Sequence, residues 1–158
     1  MSQLLDAARK GGIVNAAEPL PGVVTGGQPT ADQLAALKDA GCEVVLDLRE
    51  PMEARPLDEP RAVRALGLEY INVPIAGTAL NDQTMERVRN TLRDLSARGR
   101  KVLCHCGSGN RPAASLIPHF ILEKGMSEED AIDAAMVLGL RRAELVEWAV
   151  GYVRRNGR

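Results

Sequence analysis

Aromatic residues are nearly missing from this chain, with one Trp, one Phe and two Tyr in 158 residues. So few rings exclude a platform that stacks nucleic-acid bases, and the core has to be built from Leu, Val, Ile, Ala and Met. An excess of charge is missing too, since 20 Lys and Arg stand against 21 Asp and Glu. That balance argues against nucleic acid and against a membrane surface as partners. No apolar run approaches the roughly 20 residues that span a bilayer, and Met1 to Lys10 carries charges but no apolar signal core. Three cysteines are too few, and odd in number, for a disulfide framework. These absences point to a cytoplasmic protein. Two histidines and three cysteines at these spacings form no metal-ligand motif, so neither a metal nor a cofactor is expected.

What is present suits one domain over residues 1–158, with 1–20 read as a partly ordered extension. The informative stretch is Lys101 to Arg111. It reads as a short buried strand, a tight loop with Gly107 and Gly109, and Arg111 at the mouth of a helix. A strand that turns into a helix N-terminus points successive backbone N–H groups into the turn, where the helix dipole adds to them. Glycines let the backbone curl around an anion, and an arginine fork suits oxyanions. A cysteine in such surroundings is a nucleophile for group transfer through a covalent intermediate.

Around this stretch the chain alternates. A helix is expected over residues 1–11 and an edge hairpin over Ile13 to Val24, where Pro19 and Pro21 interrupt. Thr30 and Gln33 form a capping box for the next helix. Val44 to Leu48 is an apolar strand, followed by a polar, proline-rich loop from Arg49 to Pro60 and a short helix over 58–66. Tyr70 to Ile75 is the next strand. Met85, Val88, Leu92 and Leu95 then mark one face of an amphipathic helix. After Arg111 come a helix containing Pro118, a helix capped by Ser127 with Ile132, Ala135 and Met136 inward, and a last helix with Leu145, Trp148, Ala149 and Tyr152 inward. Strands separated by helices predict an α/β fold, a central, mostly parallel sheet flanked by helices. Its functional loops belong at the carboxyl ends of the strands. Cys106 lies at that end of its strand, whereas Cys42 lies at the opposite end of its own, and Cys104 reads as core.

The run His105-Cys106-Gly107-Ser108-Gly109-Asn110-Arg111 resembles the signature of cysteine-dependent protein tyrosine and dual-specificity phosphatases. Those enzymes place five residues between Cys and Arg; this chain has four, the spacing of rhodanese-type sulfurtransferases. Gly27-Gln28-Pro29-Thr30, the helix after it, Val44 to Arg49 and Tyr70 to Ile75 resemble the phosphatase-like domain of beta-lactamase-hydrolase-like proteins, a group that joins a phosphatase-type fold to the shorter Cys-x4-Arg loop. The resemblance implies a cysteine-phosphatase-like three-layer fold. It implies Cys106 as nucleophile and Arg111 with Gly107, Ser108, Gly109 and Asn110 as the oxyanion cradle, with His105 orienting the loop. An acid that protonates the leaving oxygen is expected from an upstream Asp. Asp82 is the best placed by position, and it also reads as a helix cap; Asp58 and Glu53 are weaker candidates. Pro112 stands where both families commonly carry Ser or Thr.

Two chemistries are compatible with these residues, beside a third, non-enzymatic reading in which the fold binds phosphate or a phosphorylated partner without turnover or the thiol serves as a redox sensor. The first, placed ahead on the breadth of the resemblance, is hydrolysis of a phosphomonoester through a phosphocysteine, the substrate being a phosphorylated small molecule or protein. The alternative is sulfur transfer, in which Cys106 takes a persulfide from a sulfane-sulfur donor.

Overall fold

The structure is a computed structural model that describes residues 2–157. Five strands form one sheet: β1 (Ala17–Leu20), β2 (Val23–Gly26), β3 (Val44–Asp47), β4 (Glu69–Asn72) and β5 (Val102–His105). Their order is β1-β2-β5-β3-β4. β2, β5, β3 and β4 run parallel, and β1 pairs antiparallel with β2. Seven helices accompany them: α1 (Gln3–Lys10), α2 (Ala31–Asp39), α3 (Glu59–Ala65), α4 (Asp82–Ala97), α5 (Asn110–Leu122), α6 (Glu128–Val137) and α7 (Ala143–Asn156). Among the described residues, no helix is long and apolar enough to cross a membrane.

A parallel sheet needs both faces covered, and alternation along each strand supplies the two faces. In β3, Val44 and Leu46 join the core shared with α4, α5, α6 and α7, while Val45 joins the opposite core shared with α1, α2 and α3. The result is three layers, as the sequence reading expects. Parallel pairing also aligns the strand ends. Gly26, His105, Asp47 and Asn72 stand side by side in register at the carboxyl edge, and β5 lies in the middle of that row.

Local signals explain most boundaries. Thr30 and Gln33 make both bonds of the predicted capping box, and Ser127 accepts the N–H of Asp130. Met85, Val88, Leu92 and Leu95 are all buried. Four readings change. The hairpin is not wholly at the edge, because β2 pairs on to β5 and only β1, with Pro19, is outermost. β4 ends at Asn72, although the N–H groups of Val73 and Ile75 still bond Asp47 O and Leu48 O at 3.0 Å each. Met136 is 46% exposed, and Ala131 with Ala135 forms the buried face of α6. Asn81, not Asp82, caps α4 by accepting the N–H of Thr84. The helix expected over residues 1–11 is α1, capped by Ser2 and with Leu4, Leu5 and Ala8 buried in the second core. α5 continues through Pro118, which is buried.

Candidate active site

β5 delivers His105 to the carboxyl edge, and the chain turns through Cys106 to Gly109 into α5. Gly109 has φ of 103°, a conformation that a side chain resists, and it forms the N-cap. Around this turn the loop carbonyls point outward and are tied down. Gln28 N–H donates to Gly107 O at 3.0 Å, and Asn15 Nδ2 donates to Ser108 O at 2.8 Å. Asn110 Oδ1 accepts the N–H of Arg141 at 2.7 Å, while its Nδ2 donates to Ser108 Oγ at 3.0 Å. Carbonyls fixed outward turn the amides inward, which makes a nest for an anion. Cys106 Sγ sits in it, accepting the N–H groups of Gly109 at 3.2 Å and Arg111 at 3.4 Å. The amides of Gly107, Ser108 and Asn110 have no protein acceptor among the described residues.

Pro112 falls in the first turn of α5, where a missing N–H costs nothing. The Ser115 hydroxyl donates to Arg111 O at 2.7 Å, so the sulfur is supported by backbone amides instead. The other two thiols are core. Burial pushes the Cys42 thiol up to about 11, and burial with the nearby Cys106 pushes Cys104 well above its ordinary value.

Arg111 is aimed by a carboxylate. Its Nη1 and Nη2 donate to Glu53 Oε2 and Oε1 at 2.8 and 2.9 Å, and Nη1 also reaches Ile75 O at 3.3 Å. Glu53 further accepts Arg49 Nε at 3.0 Å and the N–H of Glu50 at 2.7 Å. The bonds from Arg111, against burial and helped by the Glu50 amide and Arg49, hold the Glu53 carboxyl down to about 2. The same carboxylate raises the Arg111 pKa above its ordinary value. Glu53 therefore orients the guanidinium and has no proton to give.

His105 is fully buried and points, as strand alternation requires, to the face opposite Cys106. Its Nδ1 lies 3.2 Å from Cys106 O, a pure acceptor, so Nδ1 carries a proton and donates. Its Nε2 bonds Glu59 Oε2. Glu59 Oε1 accepts Gln28 Nε2 at 2.6 Å, and Gln28 Oε1 accepts Arg49 Nη1 at 2.8 Å. A single circuit thus runs from Cys106 O through His105, Glu59, Gln28, Arg49 and Glu53 to Arg111, binding both ends of the loop to residues 28 and 49–59. Asp47, also fully buried, accepts Arg55 Nη2 and Tyr70 Oη at 2.7 Å each and the Arg49 N–H at 2.9 Å.

Asp47, Glu59 and His105 present ligand-type atoms within 4.8 Å of one another. The Arg55 guanidinium already supplies a cation there, 2.7 Å from Asp47 and 3.7 Å from Glu59. The trio reads as a buried ion network. Sequence spacing could not reveal it, because its members lie 12 and 46 residues apart; β3–β5 pairing sets Asp47 beside His105, and the start of α3 brings Glu59 to them. Polar residues at an otherwise apolar strand end, Asp47 and His105, were the available signal.

Asp82 goes elsewhere. Arg155 Nη2 donates to its Oδ1 at 2.7 Å, and Asn156 Nδ2 donates to its Oδ2 at 2.9 Å. Those bonds, Arg155 first, hold the carboxyl below its ordinary value. The carboxylate that position in the chain offers as the acid is thus bonded to the end of α7. Asp58 lines a hollow of ≈ 390 Å³ with Leu57, Tyr70 and Asn72, which shares Glu53 with the cleft beside Arg111. The cleft beside Arg111 holds ≈ 240 Å³ and is walled by Glu50, Glu53, Ile75, Leu80, Arg142 and Leu145.

With this geometry in view, the comparisons are specific. A family profile described as DSP-PTPase phosphatase fused to NAD+ kinase matches residues 9–147. A putative phosphatase (DUF442) from Shewanella putrefaciens CN-32 superposes with a TM-score of 0.77 at 20% identity, covering 98% of this chain and 99% of that one. A mutant form of Tk-PTP gives 0.75 at 19% identity over 89% and 95%. The core catalytic domain of the PP-IP phosphatase SIW14 from S. cerevisiae gives 0.71 at 15% identity over 86% and 83%. At these identities the likenesses establish the fold. No curated protein sequence matches significantly.

Proposed function

The chain belongs to the family of DSP-PTPase phosphatases described as fused to NAD+ kinase, and from that premise we propose that Cys106 and Arg111 carry out its phosphomonoester hydrolysis through a phosphocysteine. Family membership supports the phosphatase reading over the sulfurtransferase one. The observation that carries the proposal is the environment of Cys106 Sγ, which accepts two backbone N–H bonds at the head of α5 while Glu53 orients Arg111.

The chemistry follows from that arrangement. The Cys106 thiolate attacks phosphorus, and the bond to the leaving oxygen breaks. The inward amides of Gly107, Ser108, Gly109 and Asn110 and the Arg111 fork hold the equatorial oxygens, whose charge is spread in the transition state. Water then attacks the phosphocysteine, the S–P bond breaks with its electrons returning to sulfur, and inorganic phosphate leaves. His105 donates to Cys106 O and stabilises the strand-to-loop turn rather than acting as a base.

The substrate is a phosphorylated small molecule or protein. P. aeruginosa TpbA, a structural neighbour at 19% identity, has been solved with pTyr bound, which favours an aryl phosphate as the first substrate to try. The three free cysteines fit a reducing compartment, and we place the protein in the cytoplasm. The test is phosphate release from para-nitrophenyl phosphate with trapping of the covalent intermediate by intact mass. Release that disappears in Cys106→Ser, while Asp82→Asn retains it, supports the reading. No release, together with a one-sulfur mass gain on thiosulfate, overturns it in favour of sulfur transfer.

A further inference from the structure

Breakdown of a phosphomonoester to a poor leaving group needs a proton at the leaving oxygen, and the obvious donors are already committed. Asp82 is bound to Arg155 and Asn156. Glu53 accepts two bonds from Arg111, one from Arg49 and one from the Glu50 amide. Asp47 and Glu59 are fully buried in the network behind the loop, and Asp58 faces the other hollow. The Arg111 cleft contains no His, Tyr or Cys, and its two carboxyl groups are Glu50 and Glu53.

Glu50 and Asp58 both make no side-chain hydrogen bond or ion pair among the described residues, but of the two only Glu50, half-buried, lines the cleft beside Arg111. Its backbone is nonetheless fixed on both sides. The Glu50 N–H donates to Glu53 Oε2 at 2.7 Å, the same oxygen that receives Arg111 Nη1 at 2.8 Å. Arg55 Nη1 donates to Glu50 O at 3.2 Å, and also to Pro51 O at 3.2 Å and Glu53 O at 3.1 Å. One oxygen therefore locates both the guanidinium that grips the phosphoryl group and the residue carrying the one uncommitted carboxyl of the cleft. Such a group has a fixed root and a free tip, which suits an acid that must reach a leaving oxygen and let it go.

We infer that Glu50 is the general acid of this phosphatase, donating its proton to the leaving oxygen as Cys106 attacks. This rests on the proposed Cys106 chemistry. In the first step the Glu50 carboxyl loses its proton to the departing alkoxide or phenoxide and becomes a carboxylate. In the second it takes a proton from the attacking water, and phosphate leaves as the thiolate is restored. The acid thus comes from the loop after β3, on the Arg111 side of the cleft, and not from the start of α4.

The experiment measures kcat against pH for wild type, Glu50→Gln and Glu50→Asp on phenyl phosphate and on para-nitrophenyl phosphate. General acid catalysis contributes about 10²–10⁴-fold, so Glu50→Gln should lower kcat on phenyl phosphate by roughly 10²-fold or more and lose the alkaline fall of the profile. It should lower kcat on para-nitrophenyl phosphate, whose leaving group needs little help, by about tenfold or less. Glu50→Asp, which keeps a carboxyl, should restore the alkaline fall and guards against a folding defect in the glutamine variant. Equal losses on both substrates, or an unchanged kcat and profile in Glu50→Gln, overturn the inference while leaving Cys106 in place. A wild type inactive on both substrates, or activity that survives Cys106→Ser, defeats the underlying phosphatase proposal instead.

Discussion

Glu53 shows how one side chain is removed from one task by another. It sits in the proline-rich loop after β3, where an acid for the leaving group could come from, and it is half the Arg111 fork pair. Fork-to-fork pairing is strong and directional, so the carboxylate stays ionised and the guanidinium stays aimed. The Glu53 pKa falls from 4.5 to about 2 on folding. A carboxylate whose pKa is depressed stabilises the fold fully above its unfolded value and loses that contribution as pH falls through the folded one. Urea denaturation should therefore show wild type more stable than Glu53→Gln near neutrality, with the gap shrinking between pH 4.5 and about 2. A gap that persists unchanged to the acid end would mean that the pair does not stabilise the fold through its charge. Gln28 is the other instructive residue, since its amide links the Arg111 arm to the His105 arm and its backbone N–H holds Gly107 O.

At the scale of elements, the Cys106 loop depends on the turn that follows β2. The segment after β2 passes beneath the loop at Gly27. A Cβ there would lie 2.8 Å from Gly107 O and 3.3 Å from Ser108 Cα. Both are backbone atoms, so the loop itself would have to move. A displacement of about 1 Å in a group-transfer site can cost about 10²-fold in rate. Gly27→Ala should thus reduce kcat by at least about tenfold, measured as phosphate release, with circular dichroism showing the secondary structure retained. An undiminished kcat would mean that the β2–α2 turn can shift without carrying the loop. Gly109 is constrained differently, by its φ of 103° at the head of α5.

For the whole molecule, the scarcity of aromatics concentrates packing in few places. Trp148, the single tryptophan, is 5% exposed on α7 in the larger core, and its Nε1 donates to Asn81 O at 2.9 Å, next to the start of α4. Truncating a buried Trp to Ala typically costs about 3–5 kcal/mol, and here it also strands the Asn81 carbonyl. Trp148→Ala should lower the denaturation free energy by about that amount, read by circular dichroism because the fluorophore is lost. Tyr152 extends the same seam, with Arg89 donating to its hydroxyl at 3.0 Å and its own hydroxyl 3.4 Å from Glu86. α5 is held between this seam and the sheet, and the Cys106 loop leads directly into it.

Local chemistry decided much of this protein. Capping by Thr30 with Gln33 and by Ser127, the apolar face of Met85, Val88, Leu92 and Leu95, and the strand–glycine–helix pattern around Cys106 act between residues close in sequence. Their outcomes are legible in the sequence, as is a mostly parallel α/β sheet with Cys106 at a strand's carboxyl end. What local pattern could not decide was which charges meet. Asp82 is an acid by position and an Arg155 partner in space, 73 residues away. Glu53 lies in the loop after β3 and Glu59 at the start of α3, six residues on, yet they hold opposite ends of the Cys106–Arg111 turn, and neither role has a sequence period. Periodicity reports which face of an element is apolar. The pairing of buried charges depends on strand order and register, and those arise only when the sheet closes.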